Sequence, residues 1–238
     1  MRRNLVTAAI TLALCGATLP AAAQTPAEVS RKASPPAVRA TTQLPRNVVP
    51  SHYAIEVTPH ADKLAFDGKV VIDIDVLEPT STITLQAVNL TIAKSMLTGK
   101  SRKALLPKVS LDEPSQTATF TFDAPLAAGR YALAIDYTGV INTQANGLFA
   151  IDYDSEDGKK RALFTQFEAP DARRFVPSWD EPNYKATFDL TVNAPSADMV
   201  VSNMPQTASK DLGNGMKRVV FGTSPKMSTY LLFLAVGD

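Results

Sequence analysis

The chain has 238 residues, of which 45% are hydrophobic and 20% are charged, so it is long and apolar enough to bury a core. The formal net charge is only +1, a balance that does not indicate the basic face that a nucleic-acid partner requires, so we predict no such partner. Seventeen prolines accompany eleven glycines, a composition typical of short strands joined by turns.

The first 23 residues have the pattern of a signal peptide. Arg2 and Arg3 give a positive start, Leu5–Leu14 an apolar stretch and Ala21–Ala23 a small-residue cleavage site. The apolar stretch is shorter than the roughly 20 residues of a membrane-spanning helix. We favour a Sec-type signal; twin-arginine export and a lipid anchor at Cys15 are the alternatives. The sequence therefore predicts an exported chain, periplasmic or secreted in a bacterium, without membrane attachment after cleavage.

The segment after the signal peptide differs from the rest of the chain. Residues 24–42 are small, polar and rich in proline, without hydrophobic period, and we predict a flexible linker. Cys15 is the only cysteine, so the mature chain can form no disulfide and no thiolate metal site. One domain is predicted over residues 43–238.

From residue 52 onward, apolar and polar residues alternate with a period of two. In His52–Thr58 one face of the strand carries Tyr53, Ile55 and Val57. In Lys69–Leu77 one face carries Val70, Ile72, Ile74 and Val76. About ten to thirteen such strands, without a long amphipathic helix, predict an all-β fold, a large antiparallel β-sandwich or saddle. The further strand segments are Thr82–Gln86, Thr117–Phe122, Arg130–Tyr137, Arg161–Phe167, Thr187–Val192, Arg218–Phe221 and Thr229–Val236.

Residues 165–188 carry the most specific pattern of the chain. The block contains Thr165-Gln166-x-Glu168, Ala172-Arg173, Pro177-x-x-Asp180-Glu181-Pro182 and Lys185-Ala186-x-Phe188. It resembles the signature of the M1 (gluzincin) aminopeptidases, at the end of their N-terminal β domain. The resemblance continues along the chain, for instance at Pro50-x-x-Tyr53 and Ser202–Pro205. It departs at Ser178, where cysteine is frequent, and at Gln86, where histidine is common.

Gln166 and Glu168 are the candidate substrate-binding residues. On a strand, residues two apart point to the same face, so a carboxylate and an amide oxygen would converge there. A free α-ammonium, with a pKa near 7.7–8.0, suits such acceptors. A pair that merely faces solvent is the alternative. The resemblance implies that Gln166 and Glu168 bind the N-terminal amine of a peptide substrate.

The charged residues that follow admit two interpretations, a substrate clamp or a structural ion-pair cluster. We favour the structural one, because Asp180-Glu181-Pro182 forms a turn whose carboxylates can accept local N–H groups or pair with arginine. Arg173, Asp180 and Glu181 are therefore predicted to support the site. Phe175 and Trp179 are predicted to pack at an interface with a further domain.

The chemistry of peptide hydrolysis is absent from these 238 residues, which contain no H-E-x-x-H motif. We predict no metal site and no catalytic residue here; the resemblance places zinc in a separate catalytic domain, the expected partner. The favoured hypothesis is thus the substrate-anchoring N-terminal domain of an exported M1 zinc aminopeptidase, inactive alone. A free-standing β-sandwich that binds peptides or a partner protein is the alternative, and a structural or adhesive domain is a third.

Overall fold

The computed structural model describes residues 44–100 and 103–238, so the predicted signal peptide and linker lie outside the described residues. Three 3-10 helices cover Ala61–Lys63, Ala172–Arg174 and Thr229–Leu231. None of the helices in these ranges has the length and apolar content that a membrane span requires. The strands are β1 (Val48–His60), β2 (Ala65–Val76), β3 (Thr80–Gln86), β4 (Leu90–Thr98), β5 (Ala104–Leu105), β6 (Lys108–Asp112), β7 (Thr117–Leu126), β8 (Gly129–Val140), β9 (Gly147–Ser155), β10 (Gly158–Gln166), β11 (Thr187–Pro195), β12 (Met199–Ser202), β13 (Gln206–Gly213), β14 (Met216–Phe221) and β15 (Leu234–Gly237).

The strands form three sheets. Eight strands make the largest sheet, in the order β13-β14-β11-β1-β2-β8-β4-β5. A second sheet has the order β12-β15-β10-β9, and a third has the order β3-β7-β6. The predicted all-β fold is confirmed. One pair departs from the antiparallel arrangement, since β1 and β11 run parallel from His52 opposite Thr187 to Val57 opposite Val192.

The predicted alternation is confirmed in β2. Val70, Ile72 and Ile74 are each at most 1% exposed, whereas Val71 between them is 41% exposed. The sheet therefore turns one face to the core and the other to solvent. All three sheets contribute side chains to one buried apolar cluster, among them Ile83 of the third sheet.

The sequence predictions for two aromatic residues and for one strand were wrong. Phe175 and Trp179 are both 0% exposed within this chain, so they belong to its core and not to an interface with another domain. The ring of Phe175 packs against that of Phe167, with centroids 5.4 Å apart. The strand predicted over Thr229–Val236 begins only at Leu234, because Thr229–Leu231 forms a 3-10 turn.

Candidate functional site

Gln166 and Glu168 lie where β10 ends. Gln166 is the last residue of the strand, so Glu168 follows the strand and does not lie on it as predicted. The alternation nevertheless continues, because Thr165 and Phe167 are buried while Gln166 and Glu168 are exposed. Nε2 of Gln166 donates a long hydrogen bond of 3.5 Å to the carbonyl oxygen of Glu168. Both side chains are thus available to a ligand.

The end of β10 is fixed to the neighbouring strand β15 by a side chain. Oγ1 of Thr165 accepts a hydrogen bond of 2.9 Å from the backbone N–H of Leu234 and donates one of 3.4 Å to its carbonyl oxygen. The hydroxyl extends the strand pairing of Phe164 with Ala235 by one residue. Thr165 therefore has a structural role, because its hydrogen bonds to Leu234 fix the end of the strand at which Gln166 lies.

A buried ion pair holds the loop after Glu168. Nε of Arg173 donates to Oδ2 of Asp180 at 3.0 Å, and the side chains of these residues are only 9% and 2% exposed. The same oxygen accepts the backbone N–H of Arg173 at 3.2 Å. Oδ1 of Asp180 accepts a hydrogen bond of 2.6 Å from Thr229. Such complete pairing is what a buried charge requires.

Gln86 links Glu181 to the Arg173–Asp180 ion pair. No role was assigned to Gln86 from the sequence. Its side chain is buried, with Oε1 accepting from the backbone N–H of Asp180 at 2.8 Å and Nε2 donating to Glu181 at 3.4 Å. Glu181 also accepts the backbone N–H of Leu44 at 2.6 Å. The only signal in the sequence was the departure from histidine at this position. Arg173, Asp180 and Glu181 thus come together, and Gln166 and Glu168 stay outside the cluster.

The second sheet exposes an apolar face. Phe149 lies opposite Phe164, and Phe164 lies opposite Ala235, so these side chains share one side of the sheet. Ile151 and Val201 follow on the same side and are 45% and 43% exposed. We call this surface the apolar face; its residues are Phe149, Ile151, Phe164, Met199, Val201 and Ala235. Gln166, two residues after Phe164 on β10, projects from the same side.

A comparison with protein families decides the affiliation of the chain. The model of the peptidase M1 N-terminal domain matches residues 49–231. The chain belongs to the M1 peptidase family. The family that the sequence motifs indicated is thereby confirmed.

Relatives of this M1 domain are aminopeptidases. Aminopeptidase N of Acetobacter pasteurianus is 43% identical over 201 residues, which cover 84% of this chain and 56% of that protein. Aminopeptidase M1 of Arabidopsis thaliana is 38% identical over 82% of this chain and 22% of its own length. Aminopeptidase M1-C of Oryza sativa subsp. japonica is 36% identical, with coverages of 84% and 22%. The M1 domain thus spans about half of these relatives or less.

M1 aminopeptidases are zinc enzymes, but the described part of the M1 domain offers no group of side chains suited to the metal. Within residues 44–100 and 103–238, no three His, Cys, Asp or Glu side chains are grouped as metal ligands would be. His52 instead contacts Thr187 at 2.8 Å and Asp189 at 3.3 Å. A zinc site needs three or four converging ligands. The described residues therefore do not fit the metal, and no chemical step is assigned to them.

Proposed function

We propose that this chain is the N-terminal domain of an exported aminopeptidase, in which Gln166 and Glu168 bind the free α-amine of a peptide substrate. The observation that carries the proposal is the alternation at the end of β10: both side chains are exposed between buried neighbours. An ionised carboxylate beside an amide oxygen offers acceptors for the three N–H groups of an ammonium. A peptide bond far from the N-terminus has no ammonium group beside it and so cannot supply a positive charge to these acceptors.

The rigidity of the loop supports the same assignment. Phe167, between the two candidate residues, packs against Phe175, and the N–H of Asp171 donates to the carbonyl oxygen of Phe167 at 2.9 Å. The turn is followed by Arg173, whose side chain forms the buried ion pair with Asp180. A carboxylate held by a fixed backbone loses little entropy on binding, which favours a defined position of the substrate amine.

We further propose that the apolar face receives the catalytic domain of the enzyme. Exposed apolar side chains that cluster on one surface mark interaction sites, and the tilted rings of Phe149 and Phe164, with centroids 6.1 Å apart, belong to this face. Gln166 projects from that face, so a domain packed there would bring its own active site beside the amine-binding residues. In this proposal, binding of the substrate amine and catalysis are divided between the two domains.

Kinetics of the complete enzyme test the amine-binding role. Replacing Glu168 by alanine removes a hydrogen bond to a charged group, worth about 2 kcal/mol, so kcat/KM on an aminoacyl anilide should fall about 30-fold. We expect KM to rise and kcat to fall. Glu156→Ala, another exposed glutamate next to β10, is the matched control and should leave both constants unchanged. Unaltered kinetics of Glu168→Ala would refute the assignment.

The size of the product in its source cells tests the remaining parts of the proposal. An antibody against residues 43–238 should detect a band well above the 25.5 kDa of this chain, because the catalytic domain adds to its mass. Mass spectrometry of the mature N-terminus should find Gln24 first if the signal peptide is cleaved as predicted. A band just below 25.5 kDa would instead favour a non-catalytic domain that binds peptides or a partner protein.

A further inference from the structure

The eight-stranded sheet has an incomplete edge at β4. On one side, β4 pairs with β8 along its length. On the other side, β5 pairs only with Leu97 and Thr98. In the part of the chain that the structure describes, Ile92–Met96 therefore have no strand next to them on this side. We call these five residues the open edge.

A groove of about 670 Å³ runs along the open edge. It borders the open edge and extends over the face of β4 towards β8. Five residues of strand span about 17 Å, enough to pair with a short extended segment. Leu106 and Met96 are 76% and 40% exposed in this groove, so its wall offers unpaired apolar surface. The groove is lined by the open edge, by Leu106, Pro107 and Val109, and by Ala134 and Asp136 of β8.

The charges of the sheet indicate what can fill the groove. A row of side chains crosses four strands with alternating sign: Glu56 on β1, Lys69 on β2, Asp136 on β8 and Lys94 on β4. Opposite charges on directly facing residues stabilise strand pairs, and like charges destabilise them. Lys94 is the middle residue of the open edge, so the next member of the row should be a carboxylate.

A second copy of this chain is a poor occupant of the groove. Antiparallel pairing of two open edges about their centre would place Lys94 opposite Lys94. The register shift between Ile92 and Lys94 also distorts the edge, and bulges of this kind hinder pairing between identical flat edges. Both features disfavour self-association and leave an acidic strand as the complementary partner.

We propose that the open edge binds an extended peptide segment of a partner protein, which adds a strand to β4 and places side chains in the groove beside it. An acidic side chain of the segment lies opposite Lys94, and apolar side chains contact Met96 and Leu106. Main-chain hydrogen bonds to the open edge supply affinity, while the lysine and the apolar wall supply selectivity, as in other cases of strand addition. The inference is independent of the amine-binding role of Gln166 and Glu168.

The test uses two labelled, capped nine-residue peptides of alternating threonine and valine, one with a central glutamate and one with a central lysine. Fluorescence anisotropy with the 238-residue chain should show tighter binding of the glutamate peptide. Lys94→Glu should reverse this preference, changing each affinity about threefold, the size of a cross-strand charge effect. Leu106→Ser should weaken both peptides.

Lys210→Glu is the matched control, because it makes the same charge change on β13, the strand at the opposite edge of the sheet. It should leave both affinities as they are. Three results would overturn the proposal: neither peptide binds, the preference survives Lys94→Glu, or Lys210→Glu alters binding as much as Lys94→Glu does.

Discussion

Replacing Arg173 by alanine should destabilise the domain severely. The side chain of Asp180 is only 2% exposed, and Nε of Arg173 is its cationic partner at 3.0 Å. Without the guanidinium, a buried carboxylate loses its countercharge and keeps only the hydroxyl of Thr229 and a backbone N–H. Breaking a buried pair in this way costs about 3–5 kcal/mol. At about 2–4 °C per kcal/mol for a domain of this size, the thermal midpoint should drop by roughly 6–20 °C.

The fluorescence of Trp179 reports this loss directly. It is the only tryptophan of the chain, it is fully buried, and it precedes Asp180. Lys159→Ala is the control, because Lys159 forms an ion pair with Asp154 in which both side chains are 84% exposed, and such pairs contribute little. The variant of Lys159 should unfold near the wild-type midpoint. A loss below about 1 kcal/mol for Arg173→Ala would show that the buried pair is not needed for stability.

Three further predictions address other parts of the domain. Hydrogen bonds from Arg218 hold the pKa of Glu56 below its usual 4.5. The pair therefore stabilises the fold above that pH, and the effect is lost as the pH falls through the lowered pKa. Urea midpoints of wild type and Glu56→Gln should differ at pH 7 and converge as the pH falls through the lowered pKa, and a constant difference would contradict this. Gly68→Ala drives a Cβ into the buried ring of Tyr137 and should cost about 1–3 kcal/mol in urea unfolding, whereas an unchanged midpoint would show that the ring can move. Val201→Asp should leave the melting of the isolated chain unchanged but expose the complete enzyme to proteolysis between its domains; equal protease resistance would argue against docking on the apolar face.

The fold was largely predictable because period-two alternation depends only on which face of a strand is buried. The alternation in β2 extends without a break from Phe66 to Val76, and the sequence located most of it. The parallel pairing of β1 with β11 was not predictable, since nothing local specifies the neighbour of a strand 135 residues away. Phe175 and Trp179 were correctly identified as packing residues but assigned to the wrong surface, because hydrophobicity does not distinguish a core from an interface.

The candidate site was predictable to a lesser degree. The motif predicted that Gln166 and Glu168 point to the same side of a strand. β10 ends at Gln166, however, and the position at which a strand ends depends on the loop that follows it. Gln86 was noted only as a departure from histidine and was given no role, because a single glutamine at a strand end has no pattern of its own. Its importance arises from contacts to Asp180 and Glu181, almost a hundred residues later.

The place of β15 in its sheet has a consequence for how the domain is made on the ribosome. β15 is the last of these strands in chain order, but it lies in the interior of its sheet, between β12 and β10. Until β15 has emerged, β10 and β12 lack the strand that separates them, and Thr165 lacks its partner Leu234. The nascent chain therefore carries an unsatisfied edge on β10 from the synthesis of β10 until the synthesis of β15. Over this interval the edge is open to chaperones that recognise extended segments, and the end of β10 becomes ordered only after β15 has been made.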